Sequence, residues 1–200
     1  MPTRTFNWAI LGPGNIAHKF AADLALVPQA RVHAVASRSL AKAQQFAATY
    51  GAPHAVGSYA ELLAVPGIDA VYVATPHSEH HAHALLCLRA GLPVLCEKAF
   101  AQNASQAQEM IEVAQQRGVF LMEAFWSRFF PAIRHALELV RAGAIGEVKH
   151  LSADFGFITD FKPESRLFDP RLAGARCLIL EYIRCLSVSY FWGCRPLCAP

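Results

Sequence analysis

Charge is scarce in this chain, and neither sign dominates. Of 200 residues, 16% are Asp, Glu, Lys or Arg and 54% are hydrophobic, a balance that excludes a disordered polymer and leaves ample material for a buried core. The net charge is +3, most of it near the C-terminus, where Arg176, Arg184 and Arg195 face Glu181 alone. The rest carries too little positive charge to argue for a nucleic-acid partner. An uncharged apolar stretch of about twenty residues, the length a membrane helix needs, is also missing, because Glu181 and Arg184 break the longest apolar run. The opening residues, MPTRTFNWAILGPG, lack the succession of charged, apolar and small residues of an export signal. The expectation is a cytoplasmic protein with reduced thiols and no membrane partner. Repeats and low-complexity segments are absent too.

What is present alternates between two periods. Short β-rich runs are each followed by ten to fifteen residues of helical pattern, the grammar of βαβ units (about thirty residues each). NWAIL precedes GPGNIAHKFAADLALV, and RVHAVA precedes SLAKAQQFAATYG. A weak strand at His54 to Val56 leads to SYAELLAV, DAVYVA leads to SEHHAHALLCLRAG, PVLCEK leads to NASQAQEMIEVAQQRG, and VFLMEA closes the series. Asn103 reads as an N-cap; Gly51 and Gly118 read as helix stops. Strands this apolar predict an α/β fold built on a doubly wound parallel sheet. After Phe125 the pattern changes. A helix is expected to begin after Pro131 and end near Gly143, and EVKHLSADFGFI predicts an alternating strand, the opening of a truncated second α/β domain.

LGPGNIA places Gly12, Gly14 and Ala17 in a GxGxxA pattern between a strand and a helix. In that context Gly12 permits the turn and Gly14 lets a pyrophosphate approach the backbone. The helix opened by Asn15 and Ile16 points its N-terminus at the anion. The acid that normally follows the second strand to bind a ribose hydroxyl is missing, and Ser37, Arg38 and Ser39 stand there instead. A guanidinium with hydroxyls suits a 2′-phosphate, which favours NADP over NAD. Ligands of open α/β sheets lie beyond the carboxyl ends of the strands. That rule gathers Thr75, Pro76 and His77, then Glu97 and Lys98, then Glu123 to Arg128, into the same site as the glycines, and His80 is a further cofactor-binding candidate. Lys98, at a cleft mouth, has the chemistry to polarise or deprotonate a substrate hydroxyl. HSEHHAH offers His77 and His81 at helical i, i+4 spacing, but no acid or thiol follows at ligand spacing, so no metal is expected.

AILGPGNIA, VATPHSEHHAHALLCLRAGLPVLCEKAF and GAIGEV resemble the glucose-fructose oxidoreductase/inositol dehydrogenase (Gfo/Idh/MocA) family. LMEAFWSRFFPA and RLFDPRLAG are similar to its dihydrodiol dehydrogenase branch. The resemblance spans residues 5–174. It implies a Rossmann domain over 1–123, a substrate and oligomerisation domain beginning at 124–174, bound NAD(P), and hydride transfer to or from a secondary alcohol, either a trans-dihydrodiol or a sugar. By the same resemblance Lys98 matches the lysine of an E-K-P motif that works at the nicotinamide, and Trp126 and Arg128 match a W-x-R run on the substrate side. Ala99 stands in place of the proline, so a cis peptide is not expected there, since a non-proline cis bond costs about 2.5 to 4 kcal/mol.

Beyond Gly174 the resemblance implies a helix reading close to GALLDLGIYPLS, whereas this chain reads ARCLILEYIRCL. Codons for the second string, with one extra G in front, regroup to encode the first over all twelve residues. The tail from 175 to 200 therefore reads as out of frame, and Cys177, Cys185, Cys194 and Cys198 as products of the shift. The parent enzyme is expected to be a homo-oligomer, and this chain to be improperly assembled. The rival reading is a nucleotide-binding remnant without turnover.

Overall fold

The structure, a computed structural model, describes residues 4–150, 158–164 and 168–169. The chain packs as two compact units, Met1–Ala124 and Phe125–Pro200.

The first unit is built on six strands: β1 (Phe6–Leu11), β2 (Ala30–Ala36), β3 (His54–Val56), β4 (Ala70–Val73), β5 (Val94–Cys96) and β6 (Leu121–Glu123). All pair in parallel, in the order β3-β2-β1-β4-β5-β6. Five helices alternate with them: α1 (Asn15–Leu24), α2 (Leu40–Tyr50), α3 (Tyr59–Leu62), α4 (His80–Arg89) and α5 (Ala104–Arg117). The chain winds outward from β1 to β3, returns to β4 beside β1, and winds out the other way, which is the doubly wound arrangement the sequence predicts.

Strand alternation sorts the core into two faces. Ala9, Leu11, Val71 and Val73 join Leu85, Leu88 and Met110 of α4 and α5 on one face. Ile10, Val35 and Tyr72 join Ala17, Ala21 and Phe46 of α1 and α2 on the other. Small residues let α1 lie close to the sheet, and Phe20 stacks on Tyr72 at 4.0 Å between ring centroids. The helix ends follow local chemistry. Ser39, Ser58 and Asn103 cap α2, α3 and α5 through their side chains, and Gly51 and Gly118 close α2 and α5 with left-handed backbones.

The register brings all six carboxyl ends into one row. Val56 pairs with Ala36, Ala36 with Leu11, Leu11 with Val73, Val73 with Cys96, and Cys96 with Glu123. The ladder continues one residue past that row, through Gly12 N to Ala36 O (3.0 Å), Ala74 N to Leu11 O (2.9 Å) and Glu97 N to Val73 O (3.0 Å). Every loop beyond the row therefore starts from the same edge.

Two expectations change. The Lys98–Ala99 peptide is cis, although no proline is present. Partners on both sides define this turn: Ala99 is buried with its carbonyl on His80, and Phe100 N donates to Glu123. The strand expected over residues 147–158 falls mostly on 151–157, outside the described residues; residues 147–150 and 158 carry no strand. The tail from 175 to 200 and its four cysteines also lie outside the described residues. In the second unit a 3-10 turn (Trp126–Phe129) precedes α6 (Pro131–Arg141), which has proline in its first turn as the sequence indicates.

Gly12 marks the closest approach of the β1–α1 turn to β4. Its φ is +91°, and a Cβ there would lie 2.9 Å from Thr75 Cγ2 and 3.1 Å from Ala74 O. A Cβ on Gly14 would meet nothing within 4 Å. Gly12→Ala should therefore cost about 1–3 kcal/mol of stability, and Gly14→Ala less than about 0.5 kcal/mol. Urea unfolding measures both, and equal losses would contradict this reading of the turn.

Candidate functional site

The β1–α1 turn leaves a polar cradle at the switch point. Helix α1 begins at Gly14, which makes no side-chain cap hydrogen bond, unlike the serine- and asparagine-capped helices beside it. Its first amides are thus not taken by a capping side chain, and the space over Gly14 lies open. An N-terminus of this kind accommodates a phosphate. Asn15 is exposed and Ile16 half-buried at the first turn.

At the end of β2, Ser37 is buried and Arg38 exposed. The Ser37 hydroxyl accepts from Ser39 N at 3.2 Å, and Ser39 in turn caps α2, so this loop is shaped by its own hydroxyls. The Arg38 guanidinium hydrogen-bonds the Tyr59 phenol. Burial pushes that phenol up, and Arg38 opposes the shift. No carboxylate stands among residues 37–39.

At the end of β4, Thr75 and His77 are buried and Pro76 half-buried. The Thr75 hydroxyl pairs with His83 Nδ1 at 3.0 Å. Burial lowers the His83 pKa, with Glu79 opposing and His80 and Arg38 adding to the shift. His80 is wholly enclosed at 0% exposure, its ring nitrogens 2.7 Å from Ala99 O and 2.9 Å from Thr75 O. With its two ring nitrogens on backbone carbonyls, His80 ties the start of α4 to the loops that follow β4 and β5. His81 bonds Glu109 of α5 at 2.8 Å, whereas His80 and His83 both reach Thr75, at its carbonyl and its hydroxyl.

Past β5, Glu97 and Lys98 are both half-buried. Glu97 accepts from the Tyr72 hydroxyl at 2.6 Å and from Lys98 N at 3.3 Å. Burial pushes the Tyr72 phenol well above its ordinary range, and the Glu97 carboxylate adds to the shift. Glu123, at the end of β6, accepts from Phe100 N at 2.8 Å. Burial and the nearby Glu97 charge push its carboxyl up to about 7, against the opposing pull of the Phe100 amide. Cys96 is buried, and its thiol is pushed up by burial and by Glu123 and Glu97, so it is not a nucleophile at neutral pH. Trp126 and Arg128 belong to the second unit, where Trp126 is 62% exposed and packs edge-on against Phe130 at 5.4 Å.

The strand-end row thus brings together Gly12, Gly14, Ser37, Arg38, Thr75, Pro76, His77, Glu97 and Lys98 along one edge. Such an edge, beyond the carboxyl ends of a parallel sheet, is where open α/β folds take their ligands. The family model described as the oxidoreductase family, NAD-binding Rossmann fold (GFO_IDH_MocA), matches residues 6–125. The chain belongs to this family.

Within the Gfo/Idh/MocA family, trans-1,2-dihydrobenzene-1,2-diol dehydrogenase of Mus musculus is 43% identical over 185 residues, covering 92% of this chain and 56% of that protein. The Danio rerio protein of the same name is 47% identical over 151 residues, or 74% of this chain and 45% of that one. This chain spans about half the length of the curated relatives it matches. Among solved structures, aldose-aldose oxidoreductase from Caulobacter crescentus complexed with glycerol superposes with a TM-score of 0.87 at 30% identity, covering 95% of this chain and 58% of that one. The 3-ketoreductase KijD10 from Actinomadura kijaniata, in complex with NADP, gives 0.67 at 34% identity, covering 72% and 46%.

Tyr72 was not singled out from the sequence; the available signal was a tyrosine within an otherwise aliphatic strand. Glu123 carries a consequence for stability. Its folded midpoint of about 7 lies above the ordinary 4.5, so between those values the folded chain keeps a proton that the unfolded chain releases. Stability should fall as pH rises through this window, by about 3 kcal/mol in all, and Glu123→Gln should remove the slope. Urea midpoints from about pH 4.5 to about pH 8 decide it, and identical slopes in the two chains would rule Glu123 out as the source.

Proposed function

We propose that this chain binds NADP across the carboxyl ends of β1, β2, β4 and β5, and that it serves a dehydrogenase moving hydride between the nicotinamide and a secondary alcohol, a trans-dihydrodiol or a sugar. The observation that carries the reading is the shared edge: the open Gly14 cradle, the acid-free Ser37–Arg38 loop and the Lys98 turn start from one row of paired strand ends. The names of the dihydrodiol dehydrogenases and the sugar-acting neighbour support the substrate class.

The nicotinamide, when bound, supplies the hydride chemistry. The chain's residues bind, orient and move a proton. The α1 N-terminus and the Gly12–Gly14 turn hold the pyrophosphate. Arg38 and the Ser37 hydroxyl take the 2′-phosphate, where an aspartate would repel it. Thr75, Pro76 and His77 border the nicotinamide half. Lys98 donates a proton to the substrate oxygen when an alcohol is formed and accepts it when an alcohol is oxidised. Trp126 and Arg128 are substrate-side candidates by their match to the W-x-R run alone.

Two measurements follow. NADP should bind several-fold more tightly than NAD, and Arg38→Asp should reverse the order; equal titration curves for both cofactors on the unmutated chain would remove the 2′-phosphate argument. Lys98→Met should lower single-turnover hydride transfer by about 10² or more with little change in NADP affinity. Near-normal transfer in that variant would leave Lys98 a structural residue, and bound NADP without turnover in the unmutated chain would favour the remnant.

A further inference from the structure

His80 is a polar side chain wholly buried within the first unit. It is 0% exposed, at the first position of α4, and its ring spans the gap between the two loops that matter most. Nε2 lies 2.9 Å from the carbonyl of Thr75, two residues past β4. Nδ1 lies 2.7 Å from the carbonyl of Ala99, the residue after Lys98. Both partners are backbone carbonyls, which only accept. A neutral imidazole has one N–H to give and would set a lone pair against the second oxygen; a doubly protonated ring donates to both. Distances of 2.7 and 2.9 Å match charge-assisted hydrogen bonds.

The titratable groups around this ring are His77, whose ring stands edge-on at 5.4 Å, and Glu79 on the turn before α4. His83 follows on α4, with Arg38 and Tyr59 beyond it. Glu97 and Lys98 precede Ala99, with Cys96 before them. On the other side of the turn Glu123 takes Phe100 N. Glu79 and Glu97 are the nearby anions, and Lys98 and Arg38 the nearby cations.

We infer that His80 is a positioning residue for Lys98, a doubly protonated strut that makes the Thr75 loop and the Lys98 turn move as one body. This rests on the reading of Thr75–His77 as a nicotinamide border and of Lys98 as the proton donor. A ligand that settles the Thr75 loop thereby settles Lys98, through one side chain that touches neither ligand nor substrate. Glu123 holds the other side of the same turn, so Lys98 hangs from a peptide segment fixed at Ala99 O and at Phe100 N.

The test uses the full chain with 15N-labelled histidine and amide hydrogen exchange, with NADP as probe. About one pH unit above the ordinary histidine midpoint of about 6.5, one histidine should show two slowly exchanging ring N–H protons, and His80→Gln should abolish that signal. Adding NADP should slow amide exchange at residues 75–80 and 98–100 together. In His80→Gln the protection should remain at 75–80 and vanish at 98–100. A single ring N–H at His80, or protection of 98–100 that survives in a folded His80→Gln chain, would overturn the strut. Failure of the unmutated chain to bind NADP would instead remove the proposed function, and the ring N–H count would still decide the strut. If His80→Gln does not fold, the same count on the unmutated chain decides it.

Discussion

Register is the constraint on which the site depends. Six parallel strands of unequal length, from three residues to seven, end in a single hydrogen-bonded row from Val56 to Glu123. Parallel pairing fixes each strand against its neighbour, and a one-residue slip would turn every side chain to the wrong face. Because Ala9, Leu11, Val71 and Val73 must meet α4 and α5 while Ile10 and Tyr72 meet α1 and α2, burial on both faces holds the row in place. The loops beyond it then share one edge whatever their own sequences. Chemistry carried by residues as distant as Gly12 and Lys98 is assembled by the hydrophobic core, not by contact between the two.

The polar groups on the row are arranged by degree of burial. Gly14, Asn15 and Arg38 are exposed. Lys98, Glu97 and Glu123 are half-buried and Tyr72 is buried, forming a polar layer at the ends of β4, β5 and β6. In this layer desolvation drives the phenol and the Glu123 carboxyl toward their neutral forms. Neutral or shared protons beneath a lysine are a less costly arrangement than several bare charges in a low-dielectric interior. The layer also fixes the backbone, since Glu97 receives Lys98 N and Glu123 receives Phe100 N.

The sheet, its helices and the glycine turn were legible in the sequence because each rests on local information: strand-period apolar runs, serine and asparagine caps, and glycine stops. The β1–α1 turn was legible because GxGxxA between a strand and a helix puts glycine where the backbone bends at positive φ. The partners of His80 were not. Four histidines in seven residues invite a ligand reading, and only the folded arrangement shows that His80 meets carbonyls from two loops, His81 meets α5 and His83 meets Thr75. The cis Lys98–Ala99 peptide escaped for a similar reason. Local preference favours trans, whereas the turn is defined by groups 19 and 23 residues distant in sequence. Glu123 looked like an ordinary strand-end acid because its environment is supplied by β5, its neighbour in the sheet but not in the chain.

Co-crystallisation of the chain with NADP tests the shared edge most directly. The pyrophosphate should lie over Gly12–Gly14 and the first amides of α1, the 2′-phosphate at Ser37 and Arg38, and the nicotinamide beside Thr75–His77 within reach of Lys98. A dinucleotide bound elsewhere on the chain, or bound on this row in the reverse sense with its adenine end toward Lys98, would contradict the site.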